Sequence, residues 1–406
     1  LRRWRNWALS VLLCAGLATI AWPMLRDYRA AAALMAVQSD RRGPPLVAPF
    51  DAPARRRAIA WRDVPFGGCP ALILVDRDLP MLERFYTDDK QSVRDEAKWQ
   101  RGRDKVRPMR VFGQLMGRLA SDQLLDRTPD PARARCMVAH LEAWAKAEAL
   151  TGNVSMMTSS NRAWFVIINA ATALIVLKQD HSISKSEARP IERWLSALAW
   201  SVEKFDDEMY QKIRETPRYP NNHVYWAGAA AVTAGVAAQD VRLFLRGIED
   251  GRHGLQQVDA QGFLSGELWR GGRAYRYTLW GAGPLALIIR YAEANGIRLT
   301  EVNDHAARRL AESIIMTPAS PQAFERAAGT AQIDPWNHMP LRTGDTDFAE
   351  LLAPLGLGPR IEAYAAPYRP VFSQMLGGNL TILYADPAKV RAAIEHPGTR
   401  LTDPPL

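Results

Sequence analysis

A succession of apolar periods near 3.6 residues, with almost no alternating strand pattern until residue 371, most limits how this chain can fold. Met137, Leu141, Trp144, Ala145 and Glu148 recur at three- and four-residue steps and predict a helix over Arg135–Leu150. Ile191, Trp194, Leu195, Leu198 and Val202 fall on one face of Glu187–Phe205. Ala163–Lys178 is almost wholly apolar but too short to span a bilayer, which predicts a buried helix. Further helices are expected at 224–247, 281–295 and 304–316. Between Val371 and Tyr384 two apolar runs flank Gly377-Gly378, the pattern of a hairpin. Helices of this length joined by Pro/Gly loops suit stacked helical hairpins. The expected class is mainly α, an α/α toroid (incomplete α/α barrel) with a small β-hairpin near the C-terminus.

The first 25 residues read differently. Arg2, Arg3 and Arg5 precede an uncharged stretch from Asn6 to Leu25, the pattern of a secretory signal peptide or a retained signal anchor. Residues 26–70, rich in Pro, Arg and Gly, read as a linker, leaving 71–406 as the toroid domain. Export to the periplasm follows, with a possible N-terminal membrane anchor. Cys69 and Cys136 remain beyond the leader. An oxidising compartment permits a disulfide between them, and two buried free thiols are the alternative.

Fifty-two Lys+Arg against 43 Asp+Glu give a net charge of +9, which favours an anionic partner. Arg2, Arg3, Arg5, Arg41, Arg42 and Arg55–Arg57 belong to leader and linker and say nothing of substrate. The run Arg101–Arg110 suits a solvated face or a groove wall. Export and the absence of nucleic-acid-binding motifs argue against a nucleic-acid partner. There is no HExxH, Cys-x-x-Cys, Gly-x-Ser-x-Gly or phosphate-cradling loop, so neither a metal nor another cofactor is expected. Oligomeric state stays open.

Two segments concentrate reactive side chains. Pro220-Asn221-Asn222-His223-Val224-Tyr225-Trp226 sets amide, imidazole, phenol and indole at a loop-to-helix junction, where an Asn N-cap above core aromatics is the plainer reading. Asp259–Glu267 then leads into Arg270, Arg273, Arg276 and Tyr277. If a helix opens at Arg273, Arg273 and Tyr277 share a face, and neighbouring guanidinium groups lower the phenol's pKa. These residue types suit removal of a proton α to a carboxylate. The acid is neutralised by Asn, His or Arg, and a Tyr acts as base, as acid, or as both.

Asn221–Trp226 and Asp259–Pro284 resemble the two hallmark segments of the mannuronate-specific alginate lyases, polysaccharide lyase family 5. Weaker similarity covers about residues 80–385, including Ala143–Leu150, Arg162-Ala163-Trp164, Trp194–Leu198, Asp334-Pro335-Trp336 and Leu376–Gly378. The resemblance implies an α/α toroid whose groove takes an anionic polysaccharide, a polyuronate. Asn222, His223 and Arg270 then surround the substrate carboxylate. Tyr277 transfers the proton as base and then acid in a syn β-elimination. Arg162 and Trp164 correspond to a sugar-stacking subsite, and Phe85–Lys105 to a lid with Tyr86 and Lys90 as contacts. Tyr225, Trp226 and Arg273 complete the expected substrate-binding set. Val224 stands where the family has Ser, and Tyr275-Arg276 replaces Leu-His, so a glucuronate-containing polymer competes with alginate. A non-catalytic exopolysaccharide-binding protein is one rival. A glycoside hydrolase using Glu267 and Asp259 is another.

Overall fold

The computed structural model describes residues 45–59, 64–80, 82–152, 157–216, 218–333 and 344–398, excluding the side chains of 157–162 and 212. The expected leader, the start of the linker and Asp334-Pro335-Trp336 lie outside the described residues.

After α1 (Ala52–Ile59) and α2 (Glu96–Lys105) come five helix pairs. They are α3 (Arg107–Gln123) with α4 (Pro131–Lys146), α5 (Met157–Gln179) with α6 (Lys185–Tyr210), and α7 (Asn222–Ala238) with α8 (Val241–Gln256). A short α9 (Ser265–Leu268) precedes α10 (Ala274–Ala294), which pairs with α11 (Val302–Met316). Beyond α12 (Gln322–Ala328), α13 (Asp347–Leu352) pairs with α14 (Pro359–Ala365). Helices α3, α5, α7, α10 and α13 touch in succession, as do α4, α6, α8, α11 and α14. The first series is the inner layer of an α/α toroid and the second its outer layer.

Sequence pattern explains the layering. Every residue of α7 from Asn222 to Ala237 is buried, because a helix of the inner layer meets protein on all sides. Helix α6 carries one apolar stripe, and Ile191, Trp194, Leu195, Leu198 and Val202 are all buried as expected. The helix expected over 224–247 is two helices. Gln239 turns left-handed at φ 57°, and Asp240 caps α8 by accepting from Leu243 N at 3.0 Å.

The expected hairpin is smaller than its apolar runs suggested. Strand β1 (Phe372–Ser373) pairs antiparallel with β2 (Gly378–Asn379), and the second run continues as α15 (Leu380–Tyr384). Helix α16 (Pro387–Glu395) follows and packs on α1. Strand β2 lies against α3 while α15 lies against α13, so this segment closes the gap between last and first inner helices. Gly378, at φ +107°, permits the approach, since a Cβ there would stand 2.2 Å from the Gly117 carbonyl oxygen.

Residues 45–59 of the expected linker are packed into the body of the protein, whereas 64–70 are irregular and largely exposed. Leu46, Phe50, Ala52 and Ile59 are buried in the core, and Arg56 is paired with Asp180 at 2.6 Å. Three carboxamides at the C-terminal ends of α5, α7 and α10 bracket the extended backbone. Gln239 bonds Leu46 N at 3.0 Å and Leu46 O at 2.9 Å. Asn295 does the same for Val47 at 3.0 and 2.9 Å. Gln179 takes Ala52 N at 2.7 Å and donates to Phe50 O at 3.1 Å. Paired backbone groups remove the desolvation cost of burying this segment.

Cys69 and Cys136 form a disulfide with 5.4 Å between Cα atoms, tying an exposed segment to α4. Together with His140 they are the group of potential metal ligands among the described residues, and two of the three are held in the disulfide.

Candidate active site

The N-termini of α7 and α10 meet at the pole opposite the bracketed segment. Helix α7 begins after Asn221, whose Oδ1 accepts from His223 N at 3.0 Å. The plainer reading of this segment, an Asn N-cap, therefore applies to Asn221 and leaves Asn222 and His223 free of that task. Asn221 is itself held by Tyr210, whose hydroxyl donates to Oδ1 at 3.3 Å. Burial pushes the Tyr210 phenol well up, which keeps it a donor.

Asn222 turns toward the second segment. Its backbone N donates to Glu267 Oε1 at 2.5 Å and its Nδ2 to the same oxygen at 2.8 Å. Glu267 is fully buried in α9, and Oε2 stands 3.6 Å from Arg270 Nε. Burial raises the Glu267 carboxyl, and Arg270 with the Asn222 donors opposes that rise. Arg270 is only 2% exposed; its guanidinium carbon lies 4.4 Å from the Trp269 ring centre and 4.1 Å from that of Tyr277. A cation over an aromatic face gains from the ring quadrupole, more so when both are desolvated.

A loop covers these groups. Tyr86 and Arg94 form an antiparallel bridge, and the Asp88 carboxylate closes the turn by accepting from Ser92 N and Val93 N at 2.8 and 2.7 Å. From this loop the Tyr86 hydroxyl meets the Tyr277 hydroxyl, Gln91 Oε1 accepts from Arg270 Nη1, and Ser92 O accepts from Arg273 Nε. Lys90 is exposed beside Gly271, where a Cβ would stand 3.4 Å from its Cδ. The loop half of the expected lid thus touches the site. The remainder, Glu96–Lys105, is α2, with exposed Arg101 paired to Glu83 at 3.1 Å. Arg101, Lys105 and Arg107 are exposed, so the basic run is chiefly a solvated face.

Enclosure corrects the expectation that Tyr277 has a lowered pKa. Burial pushes its phenol far above the usual value and outweighs the Arg270 charge, with Tyr86 adding to the rise. Arg273 opens α10 as expected, but its guanidinium is committed to the lid backbone.

The aromatic substrate contacts also need correction. Trp164, Tyr225 and Trp226 are 1%, 0% and 1% exposed. Trp164 and Trp226 stack with planes 5° apart, and Trp164 meets the His223 ring edge-on at 5.5 Å. Tyr225 donates to Pro220 O at 3.2 Å beside Gly254, where a Cβ would come within 2.6 Å of its ring. These three support the wall behind the site and offer no face to a sugar. Trp280, half-buried and 5.1 Å from Trp226, is an aromatic edge that the sequence reading missed. Arg162 falls in α5 two residues before Trp164, its side chain outside the described residues.

The two departures from the family pattern have different surroundings. Val224 is buried, whereas Arg276 is half-buried and paired with Asp345 at 2.5 Å. The carboxylate pair that a hydrolase would need does not form here. Asp259 caps its own turn by accepting from Gln261 N and Phe263 N at 2.9 and 2.8 Å, while Glu267 is buried behind Asn222. Gln91, Ser92, Tyr210 and Trp269 also escaped the sequence reading. Only Trp269, adjacent to Arg270, carried a usable signal.

Known proteins share the sequence family and the fold. A family model described as alginate lyase matches residues 87–324. A polysaccharide lyase of Stenotrophomonas maltophilia is 29% identical over 323 residues, covering 78% of this chain and 91% of that protein. An alginate lyase of Pseudomonas fluorescens is 32% identical over 265 residues, covering 64% and 68%. Among solved structures, a variant of alginate lyase A1-III complexed with a tetrasaccharide superposes with a TM-score of 0.67. It is 19% identical, over 84% of this chain and 97% of that one. Alginate lyase A1-III from Sphingomonas species A1 gives 0.64 at 20% identity, over 84% and 95%. At such identity the likeness concerns the fold.

Proposed function

The chain belongs to the alginate lyase family and is a polysaccharide lyase acting on a polyuronate, and we propose that Tyr277 moves the proton in a β-elimination on a 1,4-linked polymannuronate. The observation that carries this reading is the stacking of Arg270 on Tyr277, beside the Asn222 end of α7.

The chemistry runs from the substrate carboxylate. Removing H5 places negative charge on C5 and its carboxylate, and fixed donors aimed there stabilise it. Asn222, His223 and Arg270 supply those donors. The uronate displaces the Tyr86 hydroxyl from Tyr277 and the Gln91 carboxamide from Arg270. Tyr277 is held protonated by burial in the closed lid. Once the lid hydroxyl has left, it gives its proton to solvent, and the phenolate beneath the guanidinium takes H5 and returns that proton to the 4-oxygen as the glycosidic bond breaks. In mannuronate H5 and the 4-O group lie on one face, so one Tyr serves both steps. Glucuronate shares that geometry and is the alternative substrate. Lys90 and Arg273 line the lid side of the groove. Residues 1–25 direct export to the periplasm, a reading that the Cys69–Cys136 disulfide supports. There the enzyme works on exopolysaccharide.

The test offers polymannuronate, polyguluronate and glucuronan in parallel and follows the ultraviolet absorbance of the unsaturated uronate. Polymannuronate gives the fastest rise, and Tyr277→Phe abolishes it while polymer binding survives. New reducing ends without absorbance would overturn elimination in favour of hydrolysis. Wild-type turnover by Tyr277→Phe would remove that residue from its role.

A further inference from the structure

Glu267 touches two of the groups assigned to the substrate carboxylate, yet it is itself an anion buried behind a site for anions. A carboxylate accepts hydrogen bonds and never donates them while ionised. The edge of Asn222 that faces it must therefore be the NH₂ edge, as the 2.8 Å contact from Nδ2 requires. One N–H of Nδ2 is taken by Glu267, and the second remains for a ligand. That acceptor decides between the two flips of the Asn222 amide and keeps Nδ2, with its second N–H, beside the Glu267 carboxylate. Oε1 also accepts the backbone N–H of Asn222 at 2.5 Å, so the first turn of α7 and the amide are set by one atom.

The other oxygen acts on Arg270. Oε2 stands 3.6 Å from Nε, behind a guanidinium flanked by the Trp269 and Tyr277 rings. The Nη side of that guanidinium meets the lid through Gln91. Glu267 thus sets a negative charge against the inner edge of the fork, beyond hydrogen-bond distance, and leaves the outer edge for exchange between Gln91 and an incoming carboxylate. It also supplies the countercharge that permits a 2% exposed guanidinium to remain in place before substrate arrives.

From this juxtaposition we infer that Glu267 is a positioning residue for the elimination: it fixes Asn222 as a donor and Arg270 over Tyr277, without itself touching the substrate. The inference rests on the lyase reading above. Its effect appears in turnover more than in polymer capture, because the remaining groove contacts are unchanged and the donors act on charge that develops as H5 leaves.

Glu267→Gln keeps the shape and removes the charge. The expected result is a fall in kcat of about 100-fold, the scale of a misplaced catalytic contact, with KM changed by less than roughly three-fold. Asn222→Ala added to Glu267→Gln costs little more than the worse single change, since the two act as a unit. The reciprocal exchange, Asn222→Asp with Glu267→Gln, separates positioning from mere fold support and also serves if the single variant folds poorly. It restores a carboxylate–amide pair, so the thermal midpoint returns, but it aims a carboxylate at the substrate, so turnover stays lost. Recovery of turnover by the exchange, or a kcat within roughly three-fold of wild type in Glu267→Gln, overturns the inference. Wild-type protein that eliminates none of the three polyuronates overturns the lyase reading and this inference with it. An active wild type with unaffected Glu267→Gln overturns the inference alone.

Discussion

The Arg270 guanidinium lies 4.1 Å from the centre of the Tyr277 ring, while the hydroxyl of that ring meets the Tyr86 hydroxyl of the lid. The two contacts oppose each other. Burial is the largest influence on Tyr277 and raises its pKa; Arg270 lowers it, and Tyr86 raises it further. A base must lose its proton before it can work, so the lid contact holds back the active form. Tyr86→Phe removes one raising influence. With Tyr277 as the proposed base, the ascending limb of the kcat/KM profile, along which activity grows as its phenol deprotonates, should then move to lower pH. A limb unmoved or shifted upward would show that Tyr86 does not bear on Tyr277.

Burial of carboxyl groups makes a second prediction, this time about stability. Asp347 is pushed from 3.8 to about 7, first by burial, with the Ser373 hydrogen bond opposing and Asp345 and Glu350 adding to the rise. The folded state therefore holds this proton where the unfolded chain has released it. The contribution is fully present below the unfolded value and is lost as pH rises to about 7. Over that window the slope is about 1 kcal/mol per pH unit. Asp347→Asn should remove this component. Urea unfolding at a mildly acidic and a mildly alkaline pH reads it as a smaller loss in the variant. Asp206, also raised by burial, has the same sign and remains in both proteins.

The inner and outer helices were legible because each buries a stripe or a whole surface. Ile191, Trp194, Leu195, Leu198 and Val202 announced α6 by spacing alone. The structure brings Asn222, Arg270 and Tyr277 to one pole, a juxtaposition expected from the resemblance of their two segments to the family's hallmark motifs. Trp164, Tyr225 and Trp226 misled for a physical reason. Beside polar residues an aromatic looks like a sugar platform, but α7 is buried all round and has no exposed face for one. The segment from Leu46 to Ala52 was read as linker because the carboxamides of Gln179, Gln239 and Asn295 recognise backbone, which leaves no mark in the side-chain pattern. Tyr277 was misjudged because neighbouring charge is visible in sequence, whereas enclosure by a lid some 190 residues away is not.

The Cys69–Cys136 bridge closes a loop of 67 residues. Cross-linking over that length lowers the entropy of the unfolded chain, with an expected stabilisation of about 4 kcal/mol. Reduction with a dithiol should lower the guanidinium midpoint accordingly. The lid from Tyr86 to Arg94 lies within that loop but is tied to the site by its own contacts with Tyr277, Arg270 and Arg273, so turnover of the still-folded reduced protein should stay close to that of the oxidised form. An unchanged midpoint would mean that the loop is already restrained without the bond.

The bracketed N-terminal segment gives the last prediction. Leu46 and Phe50 are buried, and six hydrogen bonds to three carboxamides fix the backbone from Leu46 to Ala52. Burial of two large apolar side chains is worth about 3–6 kcal/mol. A chain beginning at residue 53 should lose stability on that scale relative to one beginning at residue 45. Helix α7 is 17 residues long, which puts the bracket about 25 Å from Asn222. The kcat of the folded truncated protein should therefore match that of the longer chain. Gln239→Ala alone removes two of the six bonds and should cost about 1–3 kcal/mol. Equal unfolding midpoints for the two chain lengths would return the segment to the status of a linker.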